Sequence, residues 1–145
     1  MLAELRISDL MTHDVLSVKP EAKVGEAKAV MKEFGIRHLP VVSDNKLVGI
    51  VSSGDIREAA PSDVTALSVW EVNYLWDQIR VQDVMTKKVL TVEIDEPLVT
   101  ALRLMVARKF SSVPVVRQGV LVGILTETDI YNKIIALAEA EQMRA

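Results

Sequence analysis

The chain contains one pattern twice, at a constant spacing of 74 residues. Residues 47–56 read LVGIVSSGDI, and residues 121–130 read LVGILTETDI. Residues 7–57 align with residues 81–131 without a gap, and 17 of the 51 aligned positions are identical. Chance would give only a few identities, so the chain carries an internal duplication. Because a solenoid needs at least three repeats to bury a continuous core, we expect the two copies to close on each other as a pseudo-two-fold pair.

Each copy predicts the same order of elements: strand, helix, strand, strand, helix. The predicted strands are Leu16–Val18, Leu39–Val42 and Leu47–Val51 in the first copy, and Leu90–Val92, Val113–Val116 and Leu121–Leu125 in the second. Between the first two strands, apolar residues recur at helical spacing from Val24 to Phe34, and Gly35 follows as a C-terminal cap. Ser52 and Thr126 stand where the final helix of each copy begins.

This order predicts an α+β fold, an α/β sandwich of two β-α-β-β-α repeats related by pseudo-two-fold symmetry. We divide the chain into a first repeat (residues 1–60), a helical linker (residues 61–80) and a second repeat (residues 81–145). The second repeat ends in a predicted helix over Ile130–Met143 that is rich in alanine and glutamate.

The linker has a second amphipathic pattern. Within residues 66–79, Leu67, Trp70, Tyr74 and Leu75 lie on overlapping helical faces. One interpretation is a helix that covers the core shared by the two copies. The other is a dimer contact, because aromatic residues are enriched in interface cores. The pattern fits both interpretations.

Composition excludes several classes of protein. The net charge of −3 argues against a nucleic-acid-binding protein, which normally has a basic excess. No apolar run reaches the roughly 20 residues that span a bilayer, so we expect no membrane association. The absence of cysteine removes thiolate chemistry and fits a reducing compartment. We therefore expect a cytoplasmic protein.

The usual signatures of an enzyme are missing. The sequence has no glycine-rich phosphate loop, no dinucleotide fingerprint and no nucleophile–base motif. His13 and His38 are the only histidines and stand in unrelated contexts, which argues against a metal site. Asp55 and Asp129 could form an acid–base pair only if they met, and duplicated positions belong in separate clefts. We therefore expect neither a catalytic centre nor a metal centre.

Each copy has a hydroxyl residue three positions before an aspartate, Ser52 with Asp55 and Thr126 with Asp129. Residues three apart at a helix start project to the same side. One interpretation is a ligand site, because a carboxylate accepts hydrogen bonds from both ribose hydroxyls while the side-chain hydroxyl donates to a phosphate. The other is an ordinary helix cap, in which both groups bond to the main chain. The residues alone leave both interpretations open.

Taken together, the motifs resemble those of tandem cystathionine-β-synthase (CBS) domains, a pair often called a Bateman module. The shared elements are D-h-M-T, where h is apolar, at 9–12 and 83–86, then h-P-V-V at 39–42 and 113–116, and then LVGI-h-[ST]-x-x-D-I at 47–56 and 121–130. They recur in this order, twice, at fixed spacing. The linker also resembles that of CBS proteins associated with acetoin utilisation.

The resemblance implies a regulatory module rather than a catalyst. CBS pairs have two equivalent clefts between their repeats, and an adenosine-type ligand such as AMP, ADP, ATP or S-adenosylmethionine binds in one or both. We therefore expect an adenine nucleotide or S-adenosylmethionine as a regulatory ligand, with no required cofactor. We also expect a homodimer that signals by rearrangement of the dimer or of an unknown protein target.

The resemblance also implies roles for individual residues. Asp55 and Asp129 would bind ribose, with Ser52 and Thr126 beside them. The remaining predicted ligand contacts are the cation Arg57, the polar residues Ser17 and Thr91, and Leu39, Pro40, Val113 and Pro114 as apolar walls.

The two copies differ just before the h-P-V-V strand. Arg37 and His38 in the first copy align with Ser111 and Ser112 in the second. Basic residues there meet phosphates in the family, and a guanidinium can hold a phosphate through two parallel N–H bonds. The other interpretation is a solvated loop charge at Arg37 and a hydrogen-bonded structural histidine at His38. If the pair binds phosphate, we expect the two clefts to differ in ligand or in affinity. The alternative function is a ligand-free scaffold for homodimerisation or docking, although such a scaffold has no need for a basic pair at this place.

Overall fold

The computed structural model describes residues 2–59 and 68–144. The chain divides into two compact units. The first unit comprises Leu16–Val89, and the second unit comprises Met1–Val15 together with Leu90–Ala145. Each unit contains helices together with the β-hairpin of one repeat, which confirms the predicted α+β class with two repeats.

The first unit is built around a hairpin. Strand β1 (His38–Ser43) pairs antiparallel with β2 (Lys46–Ser52), and Val18 lies along the other edge of β1, where its N–H donates a 3.0 Å hydrogen bond to the carbonyl of Pro40. The helices of this unit are α2 (Val24–Phe34), α3 (Ser53–Ala59), α4 (Val69–Gln78) and α5 (Val81–Val84). The apolar stripe of α2 packs against the hairpin, and the buried core comprises Val24, Ala27, Met31, Leu39, Val41, Val51, Ile56, Trp76 and Val81.

The second unit repeats this plan with a longer final helix. Strand β3 (Val92–Glu93) runs parallel to β4 (Ser112–Arg117), which pairs antiparallel with β5 (Val120–Thr126). Its helices are α1 (Ile7–Leu10), α6 (Leu98–Arg108) and α7 (Glu127–Arg144), and a short 3-10 turn lies at Leu2–Glu4. The buried core comprises Ile7, Met11, Val92, Leu98, Ala101, Met105, Val113, Val115 and Leu125.

The leading D-h-M-T segment of each repeat packs on the hairpin of the other repeat. Thr12 and Ile124 exchange two main-chain hydrogen bonds of 2.9 and 3.0 Å in the second unit. Thr86 and Ile50 exchange two of 2.8 and 3.0 Å in the first unit. Each compact unit therefore contains parts of both repeats, and the boundaries at residues 60 and 80 stay a prediction about the repeats.

Glycine makes this packing possible. A Cβ on Gly123 would lie 2.5 Å from Met11 Sδ and 3.0 Å from the carbonyl oxygen of Thr12. A Cβ on Gly49 would lie 2.6 Å from Met85 Sδ and 3.0 Å from the carbonyl oxygen of Thr86. The glycine of each LVGI motif thus leaves the space that the methionine and main chain of a D-h-M-T segment occupy.

Most predicted elements are present, with two shorter strands. The helix Val24–Phe34 has the predicted bounds, and Gly35 ends it with a φ of 64°. The predicted strand Leu16–Val18 is reduced to a single bridge at Val18, and the predicted strand Leu90–Val92 is shifted to Val92–Glu93. Both segments pair along one edge only, which limits their length. The predicted C-terminal helix begins earlier, at Glu127.

Residues of the linker form helix α4, which packs on the core of the first unit through Trp76. Trp76 is 8% exposed and belongs to the core of the first unit, whereas Trp70 is 85% exposed and Tyr74 is 64% exposed. The helix therefore covers the core of its own unit through a residue outside the predicted apolar face. Leu67 lies outside the described residues, and the dimer contact stays a prediction.

Lys109 provides a test of the backbone geometry. It ends α6 with a φ of 58°, at the position that Gly35 occupies after α2. A side chain is disfavoured in this left-handed conformation. We expect Lys109→Gly to raise the free energy of unfolding by about 0.5–1 kcal/mol in chemical denaturation. Gly35→Lys should lower it by a similar amount, and equal midpoints for both variants and the parent would contradict the assignment.

Gly123 provides a test of the segment packing. We expect Gly123→Ala to lower the free energy of unfolding by about 1–3 kcal/mol, because the main chain at Thr12 must move as well as the flexible Met11. Gly25→Ala is the matched control, since its Cβ would meet its nearest neighbours at an ordinary 3.8 Å. We expect that control to be neutral or stabilising in the same denaturation experiment. If Gly123→Ala has the same free energy of unfolding as the parent, the packing around Gly123 is looser than the structure indicates.

Candidate functional site

The predicted site residues of the first unit gather at one end of the β1–β2 hairpin. His38 at the start of β1 lies opposite Ser52 at the end of β2. The N–H of Ser53, the first residue of α3, donates a 2.9 Å hydrogen bond to the carbonyl of Arg37. The approach to β1 and the first turn of α3 are therefore tied together, and Asp55 lies in that turn.

Ser52 and Asp55 form a reciprocal helix cap. The N–H of Ser52 donates to Asp55 Oδ2 at 2.9 Å, and the N–H of Asp55 donates to Ser52 Oγ at 3.0 Å. The capping interpretation is therefore confirmed. The cap occupies only one oxygen of this carboxylate, because neither bond involves Oδ1. Among residues 2–59 and 68–144, no hydrogen bond to Asp55 Oδ1 is found, and the residue is only partly buried.

The second unit has the same cap and one additional contact. The N–H of Thr126 donates to Asp129 Oδ2 at 2.9 Å, and the N–H of Asp129 donates to Thr126 Oγ1 at 3.2 Å. Thr12 Oγ1 donates a further 3.1 Å hydrogen bond to Asp129 Oδ1. In the described part of the chain no such bond joins Thr86, the counterpart of Thr12, to Asp55.

Thr12 and Thr86 were absent from the residues predicted for the site. The sequence contained a signal for them, since both threonines end the duplicated D-h-M-T motif. The sequence alone does not show that these threonines lie near a site, because each of them packs on the hairpin of the opposite repeat and only the structure shows that packing. Thr12 therefore belongs to the surroundings of Asp129, and the main-chain bridge between Thr86 and Ile50 holds Thr86 along β2.

The predicted polar contacts Ser17 and Thr91 are exposed. Each directly precedes the residue that pairs with the first hairpin strand, Val18 along β1 and Val92 along β4. Their side chains are accessible there. Ser17 and Thr91 therefore lie beside the first strand of each hairpin.

The predicted apolar contacts lie deeper. Leu39, Pro40, Val113 and Pro114 are fully buried. Leu39 and Val113 also belong to the hydrophobic cores of their units. These four side chains are enclosed by the protein, and the carbonyl of Pro40 already accepts from the N–H of Val18.

The basic residues of the first copy divide into two groups. Arg37 is exposed and His38 is half-buried at the start of β1, whereas the aligned Ser112 is only 8% exposed. Arg57 follows Asp55 by two positions on α3, and residues two apart on a helix face different sides. Arg57 lines a cavity together with Lys28, Lys32 and Ser53.

Two further features bear on the kind of site. Within the described ranges, no group of three or more His, Cys, Asp or Glu residues is arranged to hold a metal ion. The same residues contain no helix that combines the length and the apolar character needed to cross a bilayer.

The CBS domain family model matches this chain twice, at residues 7–62 and 81–136. The chain belongs to the CBS domain family. The two matches coincide with the duplicated segments and include both capped aspartates, so the confirmed family is the one that the sequence motifs resembled.

Solved structures of CBS proteins are similar over nearly the whole chain. A Vibrio cholerae protein given the acetoin-utilization name AcuB has a TM-score of 0.79 and 31% identity, covering 96% of both chains. CBSX2, solved in complex with AMP, has a TM-score of 0.75 and 31% identity, covering 92% of this chain and 98% of that one. The CBS domain pair of MJ0100, solved with 5′-methylthioadenosine and S-adenosyl-L-methionine, has a TM-score of 0.72 and 28% identity, covering 90% and 99%.

Curated relatives are longer proteins. Homoserine O-acetyltransferase from Methanohalobium evestigatum is 35% identical over 137 residues, which are 92% of this chain and 25% of that protein. Inosine-5′-monophosphate dehydrogenase from Korarchaeum cryptofilum is 33% identical over 129 residues, which are 24% of its length. The chain thus spans about a quarter of the length of these two relatives.

Proposed function

We propose that this chain is a regulatory module that binds an adenosine-type ligand at the capped aspartates of its two hairpins. The main observation behind the proposal is that the helix cap uses only one of the two carboxylate oxygens of Asp55. Its Oδ2 caps α3, while Oδ1 has no hydrogen-bond partner among residues 2–59 and 68–144 and lies at the hairpin end with Arg37, His38 and Ser52. The complexes of CBSX2 with AMP and of MJ0100 with 5′-methylthioadenosine and S-adenosyl-L-methionine support this class of ligand.

The chemistry of the carboxylate fits a ribose. An ionised carboxylate is an acceptor-only group, and the ribose hydroxyls are donors that need acceptors. Because the cap already fixes the position of Asp55, binding a ribose requires little additional ordering of its side chain. The exposed hydroxyl of Ser17, which precedes the residue paired with β1, would then offer a polar contact to the base.

The two sites differ in their positive charge. This charge would bind the part of the ligand that extends beyond the ribose. Arg37 and His38 accompany Asp55, and this pair favours a ligand with a phosphate, such as AMP, ADP or ATP. Ser111 and Ser112 occupy the aligned positions near Asp129, so that site has no corresponding cation and suits a ligand without a phosphate. A ligand at Asp129 also competes with the hydroxyl of Thr12 for Oδ1. We therefore propose stronger nucleotide binding at Asp55 than at Asp129.

A homodimer that docks on an unidentified protein target remains the companion proposal. Trp70 and Tyr74 are the exposed aromatic residues of α4 that would contribute to such a contact. In the longer relatives the corresponding CBS region accompanies a catalytic region, which supports a regulatory role for this type of module.

The ribose assignment can be tested with a substitution that keeps the cap. In Asp55→Asn, the side-chain carbonyl can still accept from the N–H of Ser52, while the amide group replaces the free oxygen with a donor. We expect at least about tenfold weaker AMP binding in calorimetry, because a charge-assisted hydrogen bond contributes about 1.5–3 kcal/mol. Asp129→Asn is the matched control and should leave the stronger site intact. AMP affinity that is the same in Asp55→Asn and the parent would remove Asp55 from the ribose role.

The phosphate assignment can be tested by giving the first copy the residues of the second. We expect Arg37→Ser combined with His38→Ser to weaken AMP binding by about tenfold or more, since the charged donors to the phosphate are lost. Adenosine, which has no phosphate, should bind this variant and the parent with similar affinity. Equal losses for AMP and adenosine would indicate a structural defect instead, and no loss for either would contradict the role of the basic pair.

A further inference from the structure

The first unit contains a cavity of about 480 Å³ between α2, α3 and α4. Its volume falls within the range of small-molecule sites, roughly 300–1,000 Å³. Met31, Ile56 and Trp76 contribute apolar surface, and Trp76 is a core residue that is 8% exposed. The cavity thus combines a firm apolar wall with an opening to solvent.

The cavity also concentrates positive charge. Lys28, Lys32 and Arg57 line it, and no acidic side chain of the described residues does so. Lys28 Nζ lies 5.0 Å from the centre of the Trp76 ring, which places one cation over the aromatic wall. Lys28 and Lys32 are four residues apart on α2, where like charges repel. An anion in the cavity would relieve that repulsion.

The second copy indicates that the repeat itself does not require these cations. The residues aligned with Lys28, Lys32 and Arg57 are Leu102, Val106 and Tyr131. The aromatic wall comes from α4, an element of the linker between the copies. The charged cavity is therefore a property of the first unit alone, and the sites at Asp55 and Asp129 do not account for it.

We propose that this cavity binds a small organic dianion, a phosphate monoester with an apolar body. Three cations match a head group that carries two negative charges, and the apolar wall formed by Met31, Ile56 and Trp76 matches the body. The proposal does not depend on nucleoside binding at Asp55, because neither ribose nor adenine takes part in it.

The fluorescence of Trp76 can report occupancy. The chain has two tryptophans, so Trp70→Phe leaves Trp76 as the only indole, and the exposed position of Trp70 tolerates the change. In this background we expect a saturable change of emission with phenyl phosphate, at a lower concentration than with inorganic phosphate. The variant Lys28→Leu with Lys32→Val introduces the residues of the second copy and should weaken phenyl phosphate binding about tenfold or more. Lys46→Ala, which removes an exposed cation elsewhere in the unit, should not weaken it.

Three outcomes would overturn the proposal. These are no saturable change with phenyl phosphate, the same affinity in the double variant as in its parent, or removal of the signal by excess adenosine, which would assign the binding to the nucleoside site. Failure of AMP to bind in calorimetry would contradict the proposed function without affecting this titration, since phenyl phosphate has no ribose. Circular dichroism shows whether the double variant is still folded, so that a loss of binding can be distinguished from a loss of folding.

Discussion

The close approach of a methionine to a glycine determines where the rest of the structure can lie. Met11 packs over Gly123 and Met85 over Gly49, at distances that leave no room for a Cβ. Paired main-chain hydrogen bonds at Thr12 and Thr86 then fix each D-h-M-T segment along the hairpin of the opposite repeat. This packing makes each unit a product of both repeats. It also brings the hydroxyl of Thr12 to the carboxylate of Asp129, so a packing constraint becomes part of a candidate binding site.

The same aspartates serve the structure and the proposed function. The reciprocal caps of Ser52 with Asp55 and of Thr126 with Asp129 show that the motif is needed to begin α3 and α7. A cap uses only one carboxylate oxygen, so the same side chain can stabilise its helix and still accept from a ligand. The two copies then differ in the second oxygen: at Asp129 it accepts from Thr12, whereas at Asp55 the described part of the chain supplies no donor to it. A duplicated frame with different surroundings is a simple way to obtain two sites of different affinity.

Much of this arrangement could be predicted from local sequence signals. Periodicity and cap residues identified α2, the hairpins and the starts of α3 and α7, because each depends on a few neighbouring residues. The exchange of the D-h-M-T segments could not be predicted, since an alignment of two copies contains no information about which hairpin a segment packs on. The packing role of Trp76 was also missed, because several apolar residues of the linker compete for the buried face. The position of Arg57 could not be predicted either, because the cavity that it lines with Lys28 and Lys32 forms only when α2, α3 and α4 pack together.

A crystal structure of the protein grown with saturating AMP tests the central claim most directly. We predict that ribose oxygens lie within hydrogen-bonding distance of Asp55 Oδ1, while Oδ2 still caps α3 and the phosphate faces Arg37 and His38. AMP bound away from the hairpin end, or crystals without AMP despite saturating nucleotide, would contradict that claim.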